Sequence, residues 1–88
     1  MEFIHSKRHL NAGDIVELTA DVQCNFMLTT DTEFRNFKEG KSFRYHGGFF
    51  KAFPAKILVP HSGLWNITID VGDRTAVIRH QIRIIPIR

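Results

Sequence analysis

The chain has 88 residues, 43% of them hydrophobic, with a formal net charge of +3. That is enough for one domain with one modest core, and no run approaches the ~20 consecutive apolar residues of a membrane helix. A single cysteine, Cys24, excludes an internal disulfide and agrees with a reducing compartment, while the mild positive charge permits anionic partners without demanding them and also favours solubility.

The N-terminus, Met-Glu-Phe-Ile-His-Ser-Lys-Arg-His, lacks the basic-then-apolar layout of a signal peptide, so a cytoplasmic location is expected. Residues 3–6 form a short candidate strand. Asn11-Ala-Gly-Asp14 has turn chemistry, since Gly tolerates positive φ and Asp bonds back to nearby backbone. Residues 14–22 then alternate, with Val16, Leu18, Ala20 and Val22 on one side and Glu17, Thr19 and Asp21 on the other. Cys24, Phe26 and Leu28 continue as a further strand, with Asn25 and Thr29 outward.

Residues 31–40 break the β pattern. Asp31 or Thr32 suits an N-cap, Glu33 a first turn and Gly40 a C′ position. Phe34 and Phe37 share one helix face. A helix of about two turns needs packing on a sheet to persist, and it is expected to cap an open end. Residues 42–46 alternate again, with Phe43 and Tyr45 on one face, until Gly47-Gly48 interrupts as a bulge or turn. The aromatic-rich residues 49–53 end at Pro54, and Ala55, Ile57 and Val59 give another short strand, closed by Pro60-His-Ser-Gly63.

Residues 64–71 show strict period two, with Trp65, Ile67, Ile69 and Val71 apolar and Asn66, Thr68 and Asp70 polar. Residues 75–87 alternate with the opposite parity. Gly72-Asp73 between them suits a type II′ turn. The predicted hairpin sets Ile69 opposite Ala76, Ile67 opposite Ile78 and Trp65 opposite His80 as an inward residue. Its outer face carries Asn66, Thr68, Asp70, Arg79, Gln81 and Arg83, with Asn66 opposite Arg79. The fold class is therefore all-β: a small antiparallel β-sandwich, jelly-roll-like, of seven to eight strands with one short helix near 32–39. An immunoglobulin-like strand order satisfies the same alternation.

Gly13-Asp14 before a Val-rich strand, the 31–37 segment, Tyr45-His-Gly-Gly48, Pro60-His-Ser-Gly-Leu-Trp65, Ile69-Asp70 and Arg79-His80 occur in an order that resembles a small bacterial family, the domain of unknown function numbered eighteen-eighty-three. The resemblance covers nearly the whole chain and implies a compact β-sandwich. It also implies stand-alone proteins or modules joined to a TIR domain, a type associated with signalling and NAD cleavage. It carries over no catalytic residues.

Residues 41–56 are the strongest surface candidate. Lys41, Arg44, Lys51 and Lys56 interleave with Phe43, Tyr45, Phe49, Phe50 and Phe53, a mixture in which cations neutralise phosphate and aromatics stack bases for ~1–3 kcal/mol each. Gly47-Gly48 would let backbone N–H groups approach an anion. The site expected here is Arg44, Tyr45, His46, Gly47, Gly48 and Lys51. A half-buried strand alone explains most of the run, with aromatics inward, basic residues outward, and Arg44 and Tyr45 on opposite faces. His46, beside the glycines, is the histidine most readily functional. His5 and His9 have helical metal spacing, but in a strand four residues span about 13 Å, so no metal site is expected. His61-Ser62 lies on a turn without a nucleophile elbow. Cys24 reads as a small core residue, and Asp31, Glu33, Asp70 and Asp73 as caps, turns and a solvated face.

No catalytic constellation and no cofactor emerge. The expected function is a non-enzymatic binding or sensing module of a bacterial signalling or defence system, with a TIR-containing effector or a small anionic ligand as partner. Three alternatives stand beside it. The first is a structural homo-oligomer paired through the Ile-rich strand 78–87, where Ile84, Ile85 and Ile87 are apolar on both faces. The second is a nucleotide or nucleic-acid binder through 41–56. The third is a small hydrolase, which needs an open pocket holding His46 or His61 beside a carboxylate.

Overall fold

The computed structural model describes residues 3–71 and 78–87. The described elements run β1 (Ile4–Leu10), β2 (Ile15–Ala20), β3 (Cys24–Thr29), α1 (Asp31–Lys38), β4 (His46–Phe50), β5 (Ala55–Leu58), β6 (Gly63–Asp70) and β7 (His80–Ile85). One sheet has the order β1-β6-β3-β4 and the other β5-β2-β7, with every pairing antiparallel. Val16, Leu18 and Ile57 of the three-stranded sheet meet Phe26, Leu28, Trp65, Ile67 and Ile69 of the four-stranded sheet in one core. Each such side chain stabilises the fold by about 1.5–3 kcal/mol on burial. The all-β class with one short helix is the architecture that the alternation implies.

The C-terminal hairpin does not form. β6 lies between β1 and β3, so Trp65 is opposite Arg8, and Ile67 is opposite Ser6 on one side and Leu28 on the other. β7 pairs with β2 in the other sheet, where His80 is opposite Ala20. The predicted Gly72-Asp73 turn and Ala76 lie outside the described residues. The reason for the error is general. Period two states which side of a strand faces the core, not which strand lies beside it. Trp65, Ile67 and Ile69 face the same core as Ile82 and Ile84 of β7, but from opposite sheets, and Ile78, just before β7, packs against that core too. His80, expected inside, is exposed at the first position of β7.

Helix α1 also sits elsewhere than expected. Thr30 is its N-cap, one residue ahead of Asp31, and its hydroxyl accepts the Glu33 N–H at 3.5 Å. Gly40, at φ 72°, follows the C-cap as expected. The helix does not close an open end. It lies on the outer face of the four-stranded sheet, where Phe34, Phe37 and Met27 form a second core with Phe3 and Phe43 against it. Asn66 and Thr68, expected on a solvated face, are therefore buried, each 1% exposed, and Thr29 is buried with them.

Residues 41–45 are irregular, and β4 begins at His46, with Gly47 and Gly48 inside it rather than breaking it. The Asn11–Asp14 turn forms. The Asp14 carboxylate accepts the Asn11 N–H at 2.9 Å and the Ile87 N–H at 3.0 Å, tying the C-terminal segment to the turn. These two backbone donors hold the Asp14 carboxyl below its ordinary range. Cys24 is buried, and burial pushes its thiol up, with the Asp70 charge adding to the shift. Among the described residues no helix is long and apolar enough to cross a membrane.

Candidate functional site

β3 ends, and β4 and β6 begin, at one end of the four-stranded sheet, beside the first turn of α1. An open groove of about 720 Å³ lies there, within the ~300–1,000 Å³ usual for small-molecule sites. Trp65 is its buried apolar floor. The indole Nε1–H donates to the His61 carbonyl at 3.0 Å, which holds the turn before β6 against the ring. The His61 imidazole lies 4.7 Å from the indole centroid, tilted by 43°. The His46 imidazole lies 5.7 Å away, edge-on at 79°. Two imidazoles thus flank one indole.

Residues 43–45 form the opposite wall. Phe43 packs edge-on against Phe37 at 5.3 Å and tilts against Tyr45 at 5.4 Å, so the second core anchors this segment. The Glu33 carboxylate accepts the Arg44 backbone N–H, linking the segment to α1. The Arg44 side chain stays exposed at the groove. Thr29, at the end of β3, also lines the groove. Its hydroxyl is buried and, among the described residues, has no hydrogen-bond partner.

Of the residues singled out in the sequence, Arg44, Tyr45 and His46 line this groove together. Irregular backbone at 44–45 lets neighbours that a strand would set on opposite faces share one wall. Gly47 serves packing: a Cβ there would lie 2.2 Å from the Phe26 carbonyl oxygen and 2.7 Å from Ile57 Cδ1. A Cβ on Gly48 would meet nothing within 4 Å, and Lys51 is exposed beyond β4, outside the lining. The expected site left out Thr29, Glu33, Phe43, His61 and Trp65, although Phe43 stands in the basic-aromatic run and His61 in the hydrolase alternative. The Pro60-to-Trp65 motif held two of them but carried only a fold signal.

The groove also brings His46, His61 and Glu33 to one lining, a conjunction that the alternation gives little reason to expect. Ser62, beside His61, has its hydroxyl accepting the Ala12 N–H at 2.9 Å. Among the described residues, no three His, Cys, Asp or Glu side chains could together hold a metal ion. The basic residues of 41–56 do not share one platform. Lys56 lies on the three-stranded sheet with its ammonium 3.9 Å from Glu17, while Arg44 lines the groove beside the other sheet.

The chain belongs to the family described as Domain of unknown function (DUF1883), which matches residues 1–88. No curated protein and no solved structure matches it.

Proposed function

We propose that this DUF1883 protein is a non-catalytic binding module whose groove takes a small anionic ligand with a planar ring. One observation carries the reading: Arg44, His46 and His61 line a groove floored by Trp65. A ring stacked on the aromatic walls would contribute ~1–3 kcal/mol, and an anion bonded to Arg44 a further ~1.5–3 kcal/mol. The nucleophiles weighed in the sequence lie apart from this chemistry. Cys24 is in the core, and the Ser62 hydroxyl is bonded to the 11–14 turn. The resemblance to TIR-joined modules supports a role in recognition on behalf of a bacterial, cytoplasmic signalling or defence effector.

Native mass spectrometry of gently purified protein, followed by titration of the sole tryptophan's fluorescence with nucleoside monophosphates, tests the reading. A co-purifying small anion, or saturable quenching weakened about tenfold or more by Arg44→Ala, is expected. Equal affinity in Arg44→Ala and His46→Ala would overturn the site. Turnover of the ligand would favour the hydrolase reading instead.

A homo-oligomer is the second reading, favoured by one feature. Leu58, Ile15 and Ile85 stand side by side across the outer face of the three-stranded sheet, and Leu58 is 64% exposed. Light scattering decides it: a mass of one chain at high concentration removes it.

A further inference from the structure

A second groove, of about 300 Å³, lies on the outer face of the four-stranded sheet, along the flank of α1. Its floor includes Asn66, 1% exposed. The surroundings fix how that amide is turned. One end approaches two acceptors, the Thr29 carbonyl at 3.3 Å and Asp31 Oδ1 at 2.8 Å, so it must be the NH2. The other end, Oδ1, then faces His5 Nε2 at 2.8 Å. An amide oxygen can only accept, so Nε2 carries the proton. The His5 ring also stacks on Phe34, at 4.0 Å and 10°. The imidazole is held by a bond and by a stack, and Nδ1 is the nitrogen left for a ligand.

The charges around it are one-sided. Lys7, Arg35 and Lys38 line the groove against a single carboxylate, Asp31. That carboxylate is already engaged, with Oδ2 accepting from Lys7 Nζ at 2.8 Å and Oδ1 from Asn66. Lys7 and Asn66 account for the depression of its pKa. Among the described residues neither Arg35 nor Lys38 has an ion-pair partner. Lys38 Nζ lies 4.8 Å from the centroid of the same Phe34 ring on which His5 stacks. Two exposed cations and an oriented imidazole therefore border one recess.

We propose that this recess binds a phosphate monoester group, held by Arg35 and Lys38 against the wall formed by the His5 ring. A dianion suits two unpaired cations better than a carboxylate does, and its oxygens accept from several donors at once. The groups facing His5 are Lys7 on β1, Asp31, Arg35 and Lys38 on α1, and the neutral Asn66 on β6. This site is independent of the Arg44 groove.

The test is a two-dimensional amide NMR titration of the full chain with inorganic phosphate and with glycerol 3-phosphate, against chloride at matched ionic strength. Saturable shifts around residues 5, 35 and 38 are expected, with affinity reduced about tenfold or more in Arg35→Ala/Lys38→Ala and unchanged in Arg44→Ala. Both positions are exposed on a helix that tolerates Ala. Co-sedimentation with phosphatidic acid vesicles, lost in the double variant, would assign the phosphate to a lipid headgroup; binding of the soluble ester alone would assign it to a metabolite. Shifts equal to those in chloride, or unchanged by the double variant, overturn the proposal. A His5 proton found on Nδ1 instead of Nε2 in the neutral ring overturns its orientation argument.

Discussion

Gly47→Ala and Gly48→Ala change neighbouring residues of one strand by the same methyl group, yet their costs should differ. Both glycines have positive φ, 109° and 149°, so each alanine meets backbone strain of about 1–3 kcal/mol. Both variants also gain about 0.4–1 kcal/mol from a less flexible unfolded chain, which cancels between them. The packing does not cancel. The Gly48 Cβ meets nothing within 4 Å, whereas the Gly47 Cβ would fall 2.2 Å from the Phe26 carbonyl oxygen. That neighbour is backbone in the adjacent strand β3, and moving it adds about 1–3 kcal/mol of overpacking strain.

Gly47→Ala should therefore cost about 2 kcal/mol more than Gly48→Ala, read by urea unfolding as a lower midpoint at unchanged slope. In a domain of this size the same difference is about 8–16 °C in Tm. Ile57→Val in the Gly47→Ala background should recover little, because it relieves only the 2.7 Å contact and leaves the carbonyl in place. Equal midpoints for the two alanine variants would refute the reasoning. So would full recovery by Ile57→Val.

Three further outcomes follow from the buried polar groups and the apolar row. Asn66→Asp sets a buried carboxylate where the amide NH2 now donates to the exposed Asp31 carboxylate at 2.8 Å; a buried negative charge facing another carboxylate and the Thr29 carbonyl has lost its favourable partners, so the variant should lose about 3–5 kcal/mol near neutral pH. Its deficit should shrink on acidification through the ordinary carboxylate range, seen as urea midpoints converging with wild type. Asp14, whose pKa is lowered in the fold, contributes stability above its unfolded pKa and loses it as pH falls through the depressed folded value; Asp14→Asn should be less stable at neutral pH and show a flatter acid limb in midpoint against pH. If copies associate through the outer face of the three-stranded sheet, Ile15→Asp, at the centre of the Leu58–Ile15–Ile85 row, should give a single-chain mass by light scattering while wild type does not.

Much of the core was legible because alternation reports it directly: Val16 and Leu18, Phe26 and Leu28, Trp65, Ile67 and Ile69 all face inward as read. The helix was legible through Phe34, Phe37 and Gly40. The outer face of β3 and β6 was not, because Thr29, Asn66 and Thr68 are polar, and polarity alternating with apolar residues implies solvent. Here α1 covers them. Asn66 survives burial by bonding to His5, Asp31 and the Thr29 carbonyl, partners that lie far from it in sequence.

The same limit applies to the groove. Arg44, Tyr45 and His46 stand out in one basic-aromatic run, but the run does not contain what they face. Strand register supplies that. Leu28 of β3 is opposite His46 on one side and Ile67 on the other, so His46 and Trp65, two residues before Ile67, arrive on one face at one end of the sheet. A slip of β4 by one residue against β3 would turn His46 away from the indole. It would also displace Gly47, whose missing side chain lets β4 lie against the Phe26 carbonyl and Ile57. A residue kept small for packing thus sets the register that places His46 beside Trp65, so fold and site depend on the same few atoms.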